Sequence, residues 1–281
     1  MNVTGAIVVI CGALVAAALI IAYPRLRQLW HGSDRLTDAR ERRLLARNLP
    51  WYALLDPRQR DKLERLSGQL LADVRFVGCN GLEVTRDMRL LIASQASLLC
   101  LGAQPVHFDL PGEILIYPDA FYIQHDFPDE QGLVDDLPIL AAGEAWHAGR
   151  IVLSWTDVEA ALAGAGHNVV LHEFAHLLDF AAPEIEGAPP MTDFDSWSAA
   201  FSSAFDLLRE RGSPVIDIYG AENPAEFFAV AVEAFFQRGA ALAEAHGDLY
   251  QVLVAYFDID TARRSPRFHG TRRQRQAPSP A

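Results

Sequence analysis

His172, Glu173 and His176 stand in the run Val169-Val-Leu-His-Glu-Phe-Ala-His-Leu-Leu-Asp179, which reads H-E-x-x-H. On a helix, residues four apart share a face, so the two imidazoles can be aimed at one ion. Zinc takes neutral imidazole readily, and a catalytic zinc keeps one position open for water. Glu173 follows the first histidine directly. From there it can take the proton of a water that attacks a carbonyl. Val169, Val170, Leu171, Leu177, Leu178 and Phe180 flank the motif and make its helix largely buried. Two histidines and a glutamate in such a helix require partners. The bland alternative is a core helix with satisfied histidines.

Two histidines do not complete a site, so a third protein ligand must come from elsewhere. The candidates are Asp179, Glu222, Glu226, Glu233 and His246. Asp179 shares the motif's helix face but is short, which suits it to a supporting bond to an imidazole N–H. Glu226 is the best ligand candidate. It lies one turn into an apolar helix, between Ala225 and Phe227, where an unpartnered charge is costly. An acidic residue complementing the helix dipole is its structural alternative. Glu233, seven residues on and on the same face, is placed to hold a ligand histidine in orientation. Tyr219 precedes Glu226 by seven residues. Its phenol can donate to the oxyanion of a tetrahedral intermediate, or can be an ordinary half-buried tyrosine.

These groups need a scaffold. The chain has 281 residues, 51% of them hydrophobic, enough for one sizeable domain and a short extra segment. Its net charge of −12 argues against nucleic acid as a partner. Cys11, Cys79 and Cys100 offer neither a disulfide framework nor a cysteine zinc site, and read as small apolar residues in a reducing compartment.

Residues 3–23 carry no charge and, as a helix, match the thickness of a bilayer core. No basic residue precedes them, so a membrane anchor is expected rather than a cleaved signal. Arginines 25, 27, 35, 40, 42, 43 and 47 follow, in a basic stretch over 24–50. The positive side stays inside, which places the body on the cytoplasmic face of a bacterial inner membrane. A soluble cytoplasmic protein is the alternative.

The body is expected over 51–260, before a basic disordered tail at 261–281. Helices are expected over 33–49, 56–71, 85–101, 157–162, 193–211, 223–236 and 249–256, besides the H-E-x-x-H helix. Asp56-Pro57 and Asn223-Pro224 pair a cap with a first-turn proline, and Thr85 can cap its helix. Gly102 is expected to end the 85–101 helix. Gln95, alone on that apolar helix, reads as structural. A strand, an Asn80-Gly81 turn and a second strand start are expected from Val74. Further strands are expected at 113–118, continued over 120–124, and at 149–155. The stretch 125–143 reads as a long loop beside the sheet, and the prolines after Phe180 as a surface loop. Ile114–Tyr117 or Ile151–Ser154 is expected to form a sheet edge that pairs with an extended peptide.

Five blocks carry a resemblance. Gly81 to Ala96, Ile116 to Phe121, Val152 to Trp155, Gly166 to Asp179 and Tyr219 to Val230 resemble the zinc metallopeptidases related to Mlc titration factor A, across about residues 35 to 260. The spacing from Tyr219 to Glu226 also looks like the peptidase domain of anthrax lethal factor. The resemblance implies an α+β, zincin-like domain with one zinc per chain. It implies His172, His176 and Glu226 as ligands, Glu173 as general base and Tyr219 as transition-state donor. It implies cleavage of peptide or protein substrates, of aminopeptidase type, in soluble cytoplasmic proteins. One family member binds a repressor of sugar-uptake genes. The apolar N-terminus departs from that pattern. A second function class is therefore a membrane-tethered binding protein that sequesters a cytoplasmic regulator such as a repressor, with zinc structural. Structural zinc sites are normally closed by four ligands that include cysteine, and none stands near the motif.

Overall fold

The computed structural model describes residues 38–102, 110–119, 121–123, 139–141, 143–146, 149–182, 186–191 and 193–263. The expected anchor at 3–23, the basic stretch up to residue 37 and the tail beyond Arg263 lie outside the described residues. Among the described residues no helix is long and apolar enough to cross a membrane.

The fold is mixed, mostly helical with a small sheet. Helix α1 spans Ala39–Asn48, a 3-10 turn spans Pro50–Ala53, and α2 spans Pro57–Asp73. Asp38 caps α1 through a bond from Arg40 N, so the helix begins at Ala39 and not at the expected Ser33. Asp56 caps α2 as its Asp-Pro pair predicts, and Gln59 reaches back to complete a capping box. Strand β1 (Arg75–Gly78) follows. Asn80 and Gly81 both take positive φ, as the expected turn requires. No hairpin forms, because Gly78 lies against the Leu82 carbonyl and β1 pairs instead with a distant strand. Helix α3 (Arg86–Leu98) is capped by Thr85. It stops short of Gly102, whose role is different. A Cβ there would collide with the Tyr256 carbonyl, so glycine permits a close approach rather than ending a helix.

The sheet is built from β1, β2 (Glu113–Tyr117), β5 (Gly143–Trp146) and β6 (Arg150–Ser154) in the order β1-β2-β6-β5. The first three neighbours run parallel, with Ile114 opposite Phe76 on one side and Ile151 on the other. Strand β5 is antiparallel to β6. Both segments expected at an edge, Ile114–Tyr117 and Ile151–Ser154, are therefore interior. Among the described residues the edges are β1 and β5. The expected loop over 125–143 is also corrected. It contains β4 (Ile139–Ala141), paired antiparallel with β3 (Phe121–Ile123) in a separate ribbon, and it runs into β5. Ala141-Ala142-Gly143 carries little branched or aromatic signal, and the strands there are defined by their partners.

Ser154 ends β6 and caps α4 (Trp155–Leu162). Helix α5 (Val169–Phe180) carries the H-E-x-x-H motif. The loop after it is not a surface loop throughout, since Gly187, Ala188 and Pro189 are buried. Helix α6 (Phe194–Arg211) packs Trp197 and Phe201 inward, and a 3-10 turn at Ile218–Ala221 leads to α7 (Pro224–Ala245). Asn223 and Pro224 start α7 as predicted, but the helix runs on past Phe236 through non-helical dihedrals at Arg238. Helix α8 (Gly247–Phe257) closes the body.

Helix α5 lies between α7 and the β5–β6 side of the sheet. Val170, Leu171, Phe174, Ala175 and Leu178 of α5 are buried, as are Phe227, Phe228 and Phe235 of α7. Phe201 meets Phe227 edge-on at 4.7 Å and Trp197 meets Phe228 at 5.8 Å. These rings hold α6 against α7, while the apolar side of α5 packs on α7, and the facing sides of α5 and α7 hold the polar groups considered next.

Candidate metal centre

Asn168 starts α5. Its side-chain oxygen accepts from Leu171 N at 3.1 Å, which fixes the first turn and so the direction of the residues that follow. His172 and His176, one turn apart, then face α7. Their Nε2 atoms lie 3.2 Å apart, with the rings nearly perpendicular. Glu226 meets them from the first turn of α7. Its Oε2 is 3.1 Å from His172 Nε2 and its Oε1 is 3.5 Å from His176 Nε2. The three side chains are 15%, 12% and 17% exposed, so solvent does little to screen them.

These donors fit a zinc ion. Ligands bonded at about 2.0–2.1 Å around a tetrahedral ion are about 3.3 Å from one another. The two nitrogens, 3.2 Å apart, match that edge, and Glu226 turns one oxygen to each of them, Oε2 at 3.1 Å and Oε1 at 3.5 Å, with one donor atom from each residue within 4.8 Å of the others. Glu226 Oε2 is buried and, although close to His172, makes no hydrogen bond of good geometry. An oxygen in that position is expensive unless a cation meets it. Among the described residues, His172, His176 and Glu226 form the one group of three or more such side chains able to converge on an ion.

Glu233, two turns along α7, is buried and accepts from His172 Nδ1 at 2.8 Å. The proton on Nδ1 leaves the Nε2 lone pair for the ion. Asp179 does not take the supporting place expected of it. Its Oδ1 accepts from Ala188 N at 2.9 Å, and the Gly187 amide also bonds it, so its partners are the folded-back loop rather than an imidazole. His246 is removed from the cluster, with Nε2 on Ser213 Oγ at 2.8 Å. Glu222 ends the 3-10 turn, where its backbone N–H donates to Tyr219 O at 3.2 Å, and its carboxylate bears electrostatically on the Tyr219 phenol.

Glu173 is buried and close enough to bear electrostatically on both His172 and Tyr219. Tyr219 is partly exposed, with its ring 6.2 Å from that of His172. Burial and the nearby Glu226 raise its phenol to about 12, so it remains an O–H donor throughout the neutral range. Phe180, one turn beyond His176, stacks on that imidazole at 6.3 Å and is partly exposed. The sequence expects Phe180 to help bury the motif's helix, whereas it is exposed beside the imidazole.

Burial opposes a charged His172, but Glu226 and Glu233 overcome it and raise the imidazole to about 10 in the metal-free chain. Burial likewise opposes a charged Glu226, yet the two histidines hold it down to about 2. At neutral pH the metal-free site therefore holds a proton that zinc must displace. Zinc affinity is expected to rise about tenfold per pH unit around neutrality. Chelator competition at pH 6.5 and 7.5 measures this. A flat profile would show that the site holds no displaceable proton.

A sequence model described as glucose-regulated metallo-peptidase M90 matches residues 25–258. The chain is 38% identical over 263 residues to an uncharacterized protein of Synechocystis sp., an alignment covering 86% of this chain and 94% of the relative. It is 32% identical over 240 residues to Mlc titration factor A of Pectobacterium atrosepticum, covering 82% and 91% respectively. With Mlc titration factor A of Yersinia pestis it shares 30% identity over 255 residues, covering 88% and 94%. These matches bear out the resemblance carried by the five sequence blocks.

Proposed function

This chain belongs to the glucose-regulated metallo-peptidase M90 family, and on that premise we propose that it is a zinc-dependent peptidase of zincin-like architecture. The observation that carries the reading is the convergence of His172, His176 and Glu226, whose donor atoms lie within 4.8 Å of one another, beside the buried carboxylate of Glu173.

His172, His176 and Glu226 would hold the zinc, which would supply a Lewis acid and make water more acidic. The protein groups do the rest. Glu173 takes a proton from the attacking water as its oxygen bonds to the carbonyl carbon. Tyr219 donates its O–H to the oxyanion that forms. Glu173 passes its proton to the nitrogen as the C–N bond breaks, so the amine leaves neutral. Glu233 keeps His172 in the tautomer a ligand needs.

The test is cleavage of a mixed peptide library by zinc-loaded protein, abolished by a chelator and restored by zinc. No cleavage of any peptide would sink the reading. Comparing free with acetylated amino termini decides the finer, aminopeptidase-type proposal. Tyr219→Phe is expected to lower kcat by about ten- to a hundredfold with little change in KM, less than a fully enclosed oxyanion donor contributes because this phenol is partly exposed. An unchanged kcat would remove Tyr219 from the chemistry.

A second reading takes its support from the name Mlc titration factor A. In it the chain binds a protein regulator and zinc is structural. The open three-ligand set favours the enzyme. For location, the uncharged run at 3–23 supports an anchor in a bacterial inner membrane with the body cytoplasmic. Resistance of the membrane-bound protein to alkaline extraction, lost on deleting 3–23, checks this.

A further inference from the structure

Gln95 lies in the last turn of α3, a helix that contributes nothing to the ligand cluster, and it is only 1% exposed. Its Nε2 donates to Leu91 O at 3.3 Å, and its Oε1 accepts from Asn168 Nδ2 at 2.8 Å. Asn168 is the cap of α5. Besides holding Leu171 N with its side chain, it donates its own backbone N–H to Glu233 Oε2 at 2.6 Å. Glu233 Oε1 accepts from His172 Nδ1. One buried run thus links α3, the start of α5, α7 and the first histidine of the motif.

The polarity of this run follows from its ends. The oxygen and the nitrogen of a side-chain amide are close in size and shape, so the partners decide which end faces which. Here both amides end on backbone groups whose roles cannot invert. Leu171 N–H only donates, so Asn168 presents oxygen to it and nitrogen to Gln95. Leu91 C=O only accepts, so Gln95 presents nitrogen to it and oxygen to Asn168. Each assignment requires the other. The cap is then held from two sides, and its N–H is aimed at Glu233.

We infer that Gln95 is a positioning residue for the metal ligand His172, acting through Asn168 and Glu233. The inference rests on the metal-centre reading above. Without the Gln95 acceptor, the Asn168 amide is left unsatisfied in a buried place and shifts to find another partner. Its backbone N–H then no longer pins Glu233 Oε2, and the carboxylate can turn away from His172. Partners that directly support a ligand histidine are worth about ten- to a hundredfold in metal affinity. Gln95 stands two links further back, so a loss of about three- to tenfold is expected from its removal.

The experiment measures zinc dissociation constants by chelator competition on the full chain, with the melting temperature of each metal-free variant alongside. Gln95→Leu is expected to weaken zinc binding by about fivefold. Gln95→Glu, which when protonated donates to Leu91 O and accepts from Asn168, is expected to recover most of it. Gln95→Met provides a second apolar variant of similar shape should Gln95→Leu not fold. Once Glu233→Gln has weakened the support, adding Gln95→Leu should cost clearly less than it does alone. Wild-type zinc binding with an unchanged constant in Gln95→Leu or Gln95→Met, even if the melting temperature falls, overturns this inference and leaves the metal centre standing. Full additivity with Glu233→Gln overturns it as well. Absence of zinc from the wild-type chain overturns the metal-centre reading, and the inference with it.

Discussion

Glu173→Gln is expected to lower peptide cleavage about a thousandfold while leaving the zinc content of the protein unchanged. The amide has nearly the shape of the carboxylate, so a buried side chain of this size can be replaced without a cavity. Glu173 is not among the converging donors, so the ligand set is untouched. On the proposed mechanism, what disappears is the group that takes the water's proton and later delivers it to the leaving nitrogen. Positioned acid–base groups contribute about a hundred- to ten-thousandfold, and here one group serves both transfers. Metal analysis and steady-state kinetics on the same preparation check this. Cleavage at the wild-type rate would show that another base is used. If the protein instead acts by binding a regulator, the variant would retain its cellular effect, which separates the two readings in one strain.

Glu226→Ala is expected to weaken zinc binding about a thousandfold, beyond the roughly hundredfold that loss of a supporting partner costs. Two histidines on one helix remain, with an Nε2 separation of 3.2 Å, but the donor from α7 is gone. The loss should also appear as heat stability. Zinc at a hundred times its dissociation constant stabilises a folded chain by about 2.7 kcal/mol. That increment should vanish from the variant at the same zinc concentration. Undiminished binding would transfer the third ligand to another group. Glu233 is then the nearest choice, since Asp179 is committed to the backbone of residues 187 and 188.

Local signals in the sequence translated well into structure. The helical spacing of His172 and His176, the caps Asp56, Thr85 and Asn223, and the proline starts of α2 and α7 each depend on neighbours within one turn. The misread features depend on distant pairing. The 113–117 and 150–154 segments looked like any short apolar strand, and only the order of the ladder makes them interior. Strand β5 has no strong sequence signature and exists through β6. Asp179 was placed by helix geometry toward an imidazole, but the loop after α5 folds back and claims it. Gln95 was legible as an oddity, a lone amide on an apolar helix. Its partner lies 73 residues away, out of reach of any periodicity argument.

Helix α7 carries both Glu226 and Glu233, and between and beside them Phe227, Phe228 and Phe235 are fully enclosed in the core. The proposed ligand Glu226 and the carboxylate that holds His172 are thus mounted on one beam, and that beam is also a main support of the hydrophobic interior. Displacing the backbone at either carboxylate along the helix axis carries the other with it. Release of zinc to a coloured chelator during denaturation should therefore follow the collapse of the interior in a single step, making the metal a built-in reporter of whether the whole body is folded.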